Sequence, residues 1–497
     1  MDQQVFEKFD EGCPEGVEAF SGLTVQTAVI NKEMQTYGPS TALTKNSPIH
    51  FTIPGTGGAY IDLRETRLCL KCKITRPGGA NLEPEDPVSI INAPLHTIFR
   101  QVDCSLNQVG ISNLVQNNYS IKSYLNLLLP PKGYRTHPAL LESALFLKDT
   151  AGYLDDTTKG GPNEGLVARA EYFSGSKVCE LEGNIYHDFF LTSKFLPFGI
   201  QLDLKLYPQS DDFILIQDDD TPYEFHILNA ILRVCKVNLN PNIITAHSEV
   251  MKKEPMIFPF ISSDVKSYSL ASSLTRWSID DITNPYIPHN VYVVLVNQRS
   301  YSPGNRRSNP FHFMHAHLSY ISFTVDGKNV PLSEPYQCDY SIWQDKIEAE
   351  TSTPVTPPKE TGGTPSADQP NIEGRRSSHS SDRGSRRSRR SGPSSKYNVL
   401  EANFLDAYMS LYDTYDSENV NMRTFIRRRD FNRGYAIYRF NITGPGLGNH
   451  TNLMRKGHTR LSIGFKKPLN NAVTVVVYST LTGIVQIDEA RNITLRE

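Results

Sequence analysis

No window of 18 consecutive apolar residues occurs in the chain; the nearest approach, Asn471 to Ile487, is broken by Thr, Ser, Tyr and Gly. A membrane-spanning helix, which needs about 20 apolar residues, is therefore not expected. The N-terminus, MDQQVFEKFDEGCPEG, is acidic and lacks the apolar stretch of a secretory signal, so synthesis in a reducing compartment is expected. An excess of one charge sign is also missing. With 51 basic and 53 acidic residues, the formal charge is −2, which excludes a protein whose whole surface is built to coat nucleic acid. Cysteine is sparse, at seven, and an odd count fits free thiols better than a disulfide framework. Trp occurs only twice, and no Ser or Cys stands in a nucleophile-elbow pattern.

What the chain does have is turns and strand-formers. Gly and Pro number 32 each, beside 24 Tyr and 23 Phe, as an all-β protein requires. At 497 residues it exceeds what one hydrophobic core can organise, so two domains are expected.

A weak internal repeat supplies the organisation. Pro94 opens PLHTIFRQVDCSLNQVGIS and Pro310 opens PFHFMHAHLSYISFTVDGKNVP. Each runs into an alternating strand and then a polar hairpin signal, Leu106-Asn107-Gln108 in one copy and Val325-Asp326-Gly327 in the other. Ser123-Tyr124-Leu125 then matches Ala407-Tyr408-Met409, and the strand Gly199 to Leu206 matches Arg460 to Lys466. The final strands, Tyr223 to Val237 and Ala472 to Ile487, complete the series. About eight short strands per half, with Gly- and Pro-rich turns between them, predict two sandwiches or barrels; pattern alone does not separate a jelly roll from an immunoglobulin-like order. The predicted helices are few and short, His137 to Leu147 the clearest. These breaks place an N-terminal arm over 1–44, a first sandwich over 45–245 and a second over 246–497.

One segment breaks the equivalence. At about 351–396 the chain reads as Pro, Gly, Ser and Thr with almost no apolar residues, the composition of a disordered loop. Its arginines, Arg375, Arg376, Arg383, Arg386, Arg387, Arg389 and Arg390, admit three readings: phosphate contacts with nucleic acid, a nuclear-import tract, or a passive solvated loop.

Few residues suggest chemistry. His315 and His317, two apart in a predicted strand, have the spacing by which cupins hold a metal, which makes a bicupin-type metal-dependent enzyme the enzymatic alternative. The Glu that pattern needs is missing from Leu318 to Ser322, so ordinary packed histidines are favoured and no catalytic, cofactor or metal site is assigned. Cys69 and Cys72 form a CxxC, but strand alternation puts Cys69 outward and Cys72 inward, and two thiols on opposite faces do not clip a metal. The Gly55 to Gly58 and Gly444 to Gly448 runs lack the Lys-Ser/Thr of a phosphate cradle. Asp218 to Asp220 reads as a solvated turn.

GTGGAYIDL (Gly55 to Leu63), LFLKDTAGYLD (Leu145 to Asp155) and NPFHFMHAHLSYISFTVDGKNVP (Asn309 to Pro331) resemble segments of double-jelly-roll major capsid proteins. The likeness is to those of Polinton/Maverick elements and adintovirus-like small DNA viruses. The resemblance implies two tandem eight-stranded jelly rolls and a homotrimeric, pseudo-hexagonal capsomer in an icosahedral shell around double-stranded DNA. It also implies penton and minor capsid proteins as partners, assembly in the nucleus after synthesis in the cytoplasm, and no catalytic residues. A domesticated relative that no longer assembles is the remaining alternative.

Overall fold

The computed structural model describes residues 25–496 other than 46, 112–117, 131–136, 159, 284, 302–304, 339–403, 413–425 and 444–453. The basic insert and the first 24 residues lie outside the described residues.

Among the described residues, ten strands build the first half: β1 (Val29–Tyr37), β2 (Ile49–Ile53), β3 (Tyr60–Thr75), β4 (Val88–Ile90), β5 (Phe99–Leu106), β6 (Val109–Gly110), β7 (Cys179–Asn184), β8 (Leu202–Pro208), β9 (Leu215–Gln217) and β10 (Glu224–Leu239). Ten more build the second: β11 (Met256–Leu270), β12 (Arg276–Asp280), β13 (Asn290–Asn297), β14 (Leu318–Val325), β15 (Lys328–Val330), β16 (Tyr336–Gln337), β17 (Ile437–Asn441), β18 (Thr459–Phe465), β19 (Val473–Ile487) and β20 (Ile493–Arg496).

Hydrogen bonding sorts them into antiparallel sheets of one topology used twice. The first half has β1-β10-β3-β7 and β2-β8-β5-β6; the second has β11-β19-β13-β17 and β12-β18-β14-β15. Position by position the two orders are the same, and each is the jelly-roll order that strand patterning alone left open. Extra pieces are β16 beside β14, β20 beside β19, and the small β4-β9 sheet. The sequence repeat falls at equivalent stations. Its hairpin signals are the β5–β6 and β14–β15 turns, where Asn107, Gln108, Asp326 and Gly327 all have positive φ as a type I′ turn requires.

Two expectations need correction. The segment read as an arm, 1–44, contains β1, which pairs with β10 along the edge of the first sheet. It has no apolar alternation because both its faces are largely exposed, so the period-2 signal is missing. The helices also lie elsewhere than expected: only Pro138–Ser143 of the predicted 137–147 helix forms, while Tyr119–Leu128, Glu164–Phe173 and Pro241–Met251 each reach ten or eleven residues.

The two sandwiches stand side by side and point the same way. At one end, Arg306 of the β13–β14 connection meets Asp212 of the β8–β10 connection at 2.8 Å, and Lys148 meets Asp430. At the other end, the side chain of Asn107 in the β5–β6 turn donates to the carbonyl of Arg491 at 3.0 Å, and Arg491 lies over the Phe198 ring at 4.9 Å. Like ends adjoin, and one continuous apolar core runs through both halves.

Candidate assembly surface

The junction between the halves is built around a polar group that apolar packing could not leave bare. Arg169, on helix Glu164–Phe173, is fully buried and donates to the carbonyls of Ile90 and Leu147 and to Asp149 Oδ1. Asp149 is buried as well, and reaches into the second half. Its Oδ2 accepts from Asn309 Nδ2 at 3.3 Å, and its carbonyl accepts from the Tyr435 hydroxyl at 2.7 Å. Buried charge is tolerated when it is paired and hydrogen-bonded, and here the network ties one sandwich to the other. Around it, Tyr124 stacks on Phe311 at 4.2 Å, Gly152 donates its amide to the Arg433 carbonyl at 2.7 Å, and His312 pairs with Asp155.

The outer faces of the two long sheets differ in chemistry. On the first, outward positions of β3, β7 and β10 form a charge ladder. Arg233 meets Glu182 at 2.6 Å, Arg67 meets Glu182 at 3.6 Å, and Lys71 meets Glu180 at 2.5 Å. Cys69 sits among them, and its thiol is pushed up to about 11 by burial first and by Glu182 second, so it is not a reactive thiolate. Cys72 points the other way into the core, as its alternation predicts. On the second sheet the corresponding face is apolar and covered: Val476, Tyr478, Val294 and Val296 are buried.

The histidines expected on one strand face are placed otherwise. His315 and His317 lie in the turn before β14, where Ala316 and His317 have φ of 48° and 51°. The His317 amide donates to His315 Nδ1 at 3.1 Å, so that ring nitrogen caps a turn. Burial, with His317 and His312 nearby, holds the His315 imidazole down at about 4. The strand spacing behind the bicupin alternative is thus not what the fold makes of these residues. Among the described residues, no group of three or more His, Cys, Asp or Glu is arranged to hold a metal. Asp218 and Asp220 are exposed, as a solvated turn would be, and Asp220 pairs with Arg307 at the surface, while Asp219 accepts from the hydroxyls of Thr221 and Tyr223. Gly57 and Gly58 form a turn at positive φ, and Gly444 to Gly448 lie outside the described residues. Sequence reading missed Arg169 and Asp149 altogether, since a buried ion pair leaves no period and no motif.

No family model matches the chain. An uncharacterized protein of Caenorhabditis elegans is 22% identical over 325 residues, covering 62% of this chain and 74% of that protein. Among solved structures, the chain is similar to one from the Sputnik virophage, with a TM-score of 0.56, 11% identity, and coverage of 98% of this chain and 93% of that one. It is similar also to one from the PBCV-1 virus capsid, with a TM-score of 0.52, 8% identity, and coverage of 96% and 99%. The fold is the double jelly roll.

Proposed function

We propose that the chain is a structural major capsid protein, three copies of which form a pseudo-hexagonal capsomer of an icosahedral shell around double-stranded DNA. The observation that carries this reading is the parallel, side-by-side placement of two sandwiches of one topology. Three such chains around a threefold axis present six similar units, and a cyclic arrangement leaves no interface unfilled within the ring. The likeness in fold to virophage and PBCV-1 capsid structures supports a structural role over a catalytic one. Penton and minor capsid proteins as partners, nuclear assembly, and nucleic-acid contact through the arginine tract belong to the same reading.

An obligate interface of this kind buries roughly 2,000–5,000 Å² or more. Light scattering coupled to size exclusion is expected to give three times the 55.9 kDa chain mass, stable across micromolar dilution, with hexagonal particles on a negatively stained grid. A stable monomer or dimer without such particles overturns the reading. The nematode relative favours one second reading, a host-encoded descendant that keeps the fold and no longer assembles.

A further inference from the structure

The two halves share a topology but differ in what covers the outer face of the long sheet. In the second half, Thr474, Val476, Tyr478 and Thr480 of β19 share that face with Val294 and Val296 of β13, and all are buried. The strand therefore reads VTVVVYST without alternation, as strands covered on both sides do. The cover comes from the first half. The Tyr478 hydroxyl donates to Asn126 Oδ1 at 3.1 Å, and Ser263 of β11 donates through its amide and hydroxyl to Asp188 at 2.9 and 2.7 Å. Asn126 belongs to helix Tyr119–Leu128, in which every residue but Lys122 is buried.

Each surface has a counterpart in the other half, and both counterparts are partly open; on the first sheet the Cys235 and Val237 end is covered by Phe195, Phe198, Ile243 and Ile244, and the Arg233 end is not. The outer face of β1-β10-β3-β7 carries Arg233, Arg67, Lys71, Glu180 and Glu182 in partial exposure, with Met34 on the edge strand 44% exposed. The counterpart helix, Leu405–Ser410, leaves Leu405 37% and Met409 48% exposed, with Asp406 exposed between them.

We propose that these two open surfaces are the two sides of one contact between copies. Helix Leu405–Ser410 of one copy docks on the outer face of β1-β10-β3-β7 of the next, repeating between chains the contact that helix Tyr119–Leu128 makes within one. This rests on the oligomeric reading above and specifies which faces close the ring. Leu405 and Met409 meet Met34 and the aliphatic stems of Arg67, Lys71 and Arg233, and Asp406 brings a carboxylate to those cations. The chemistry differs between the two contacts for a physical reason. The in-chain contact forms during folding and can be apolar, whereas the inter-chain face must keep a free copy soluble and its edge strand from pairing at random. The contact is head-to-tail, so each chain offers one side of each kind, and the threefold rotation proposed between copies closes the ring.

The test uses the full chain in two variants, Leu405→Glu with Met409→Glu for the helix, and Arg67→Glu with Arg233→Glu for the sheet. Met34→Glu tests the same sheet face with the ladder intact. Each variant is expected to run as a monomer by light scattering, with an unchanged far-UV circular-dichroism spectrum and a lower melting temperature, since assembly stabilises the native state. An equimolar mixture of the helix and sheet variants is expected to form a 1:1 dimer, because each keeps the side the other lost. Val250→Glu, at a site 57% exposed elsewhere, is expected to assemble as the unmodified chain does. Variants that still assemble overturn this docking and leave the capsid reading standing. A monomeric unmodified chain overturns both, and monomeric variants whose mixture stays monomeric overturn the pairing of these two surfaces.

Discussion

Asp149 and Arg169 form an ion pair from which water is excluded: both side chains are fully buried, and Nη2 lies 2.7 Å from Oδ1. Both residues come from the first half, yet the free oxygen and the carbonyl of Asp149 take hydrogen bonds from Asn309 and Tyr435 of the second. The pair therefore organises the junction as well as one sandwich.

Removing one partner leaves the other charged and buried. Arg169→Met is expected to destabilise the protein by about 3–5 kcal/mol, read as a shift of the urea midpoint, and Asp149→Leu in the same chain to restore much of the loss. A shift below about 1 kcal/mol for the single variant would show that the pair is not the organiser.

Gly434 sits at the same junction with φ of 114°, and a Cβ there would lie 2.5 Å from Leu154 Cδ1 and 3.2 Å from His312 Cδ2. Gly434→Ala is expected to cost about 1–3 kcal/mol. Adding Leu154→Ala should relieve the clash and leave the backbone strain, so the pair of changes should be less than additive in a thermal melt.

Acid should weaken the fold. Burial holds His96 down at about 3, and His187 and His315 down at about 4, against an ordinary value of 6.5. In that interval the unfolded chain binds protons that the native state does not, so stability is complete above about pH 6.5 and is lost as pH falls toward 4. His187→Asn keeps a side-chain acceptor for the Phe189 amide without titrating, and its melting temperature should fall less between pH 7 and 4.5. An unchanged pH profile would remove His187 from the account.

No transition metal is expected to co-purify in stoichiometric amount, since His315 Nδ1 already accepts the His317 amide. Elemental analysis of protein prepared without chelator checks this. About one equivalent of metal, lost on His315→Ala, would reinstate the bicupin alternative.

Trypsin is expected to cut first between Arg375 and Arg390, on composition alone, and to leave two fragments that elute together. The reason for their association is β11, which lies before the cut and pairs with β19 beyond it from Met256–Ile487 to Leu270–Val473. Separation of the fragments under native conditions would contradict the shared sandwich. Deleting 351–396 should leave the fold intact, because loop closure changes by only about 0.6 kcal/mol per doubling of length.

The repeat was legible because burial of one sheet face forces alternation, and turn chemistry marks the ends. The Pro94 and Pro310 segments, the Asp326-Gly327 turn and the final strands all fell where the structure has equivalent elements. β1 was not legible, since an edge strand exposed on both faces needs no apolar period. His315 and His317 misled because two-residue spacing implies a shared face only in extended backbone, and their positive-φ turn is not extended.

By itself, the sequence determined the all-β class, the duplication and the outward placement of Cys69, because these follow from local periodicity and turn residues. The jelly-roll order, the parallel setting of the two halves and the burial of Arg169 against Asp149 were decided only in the tertiary structure. They depend on which faces meet across hundreds of residues, where β10 and β19, equivalent in topology, end as one half-open and one covered strand because only one lies against the other sandwich.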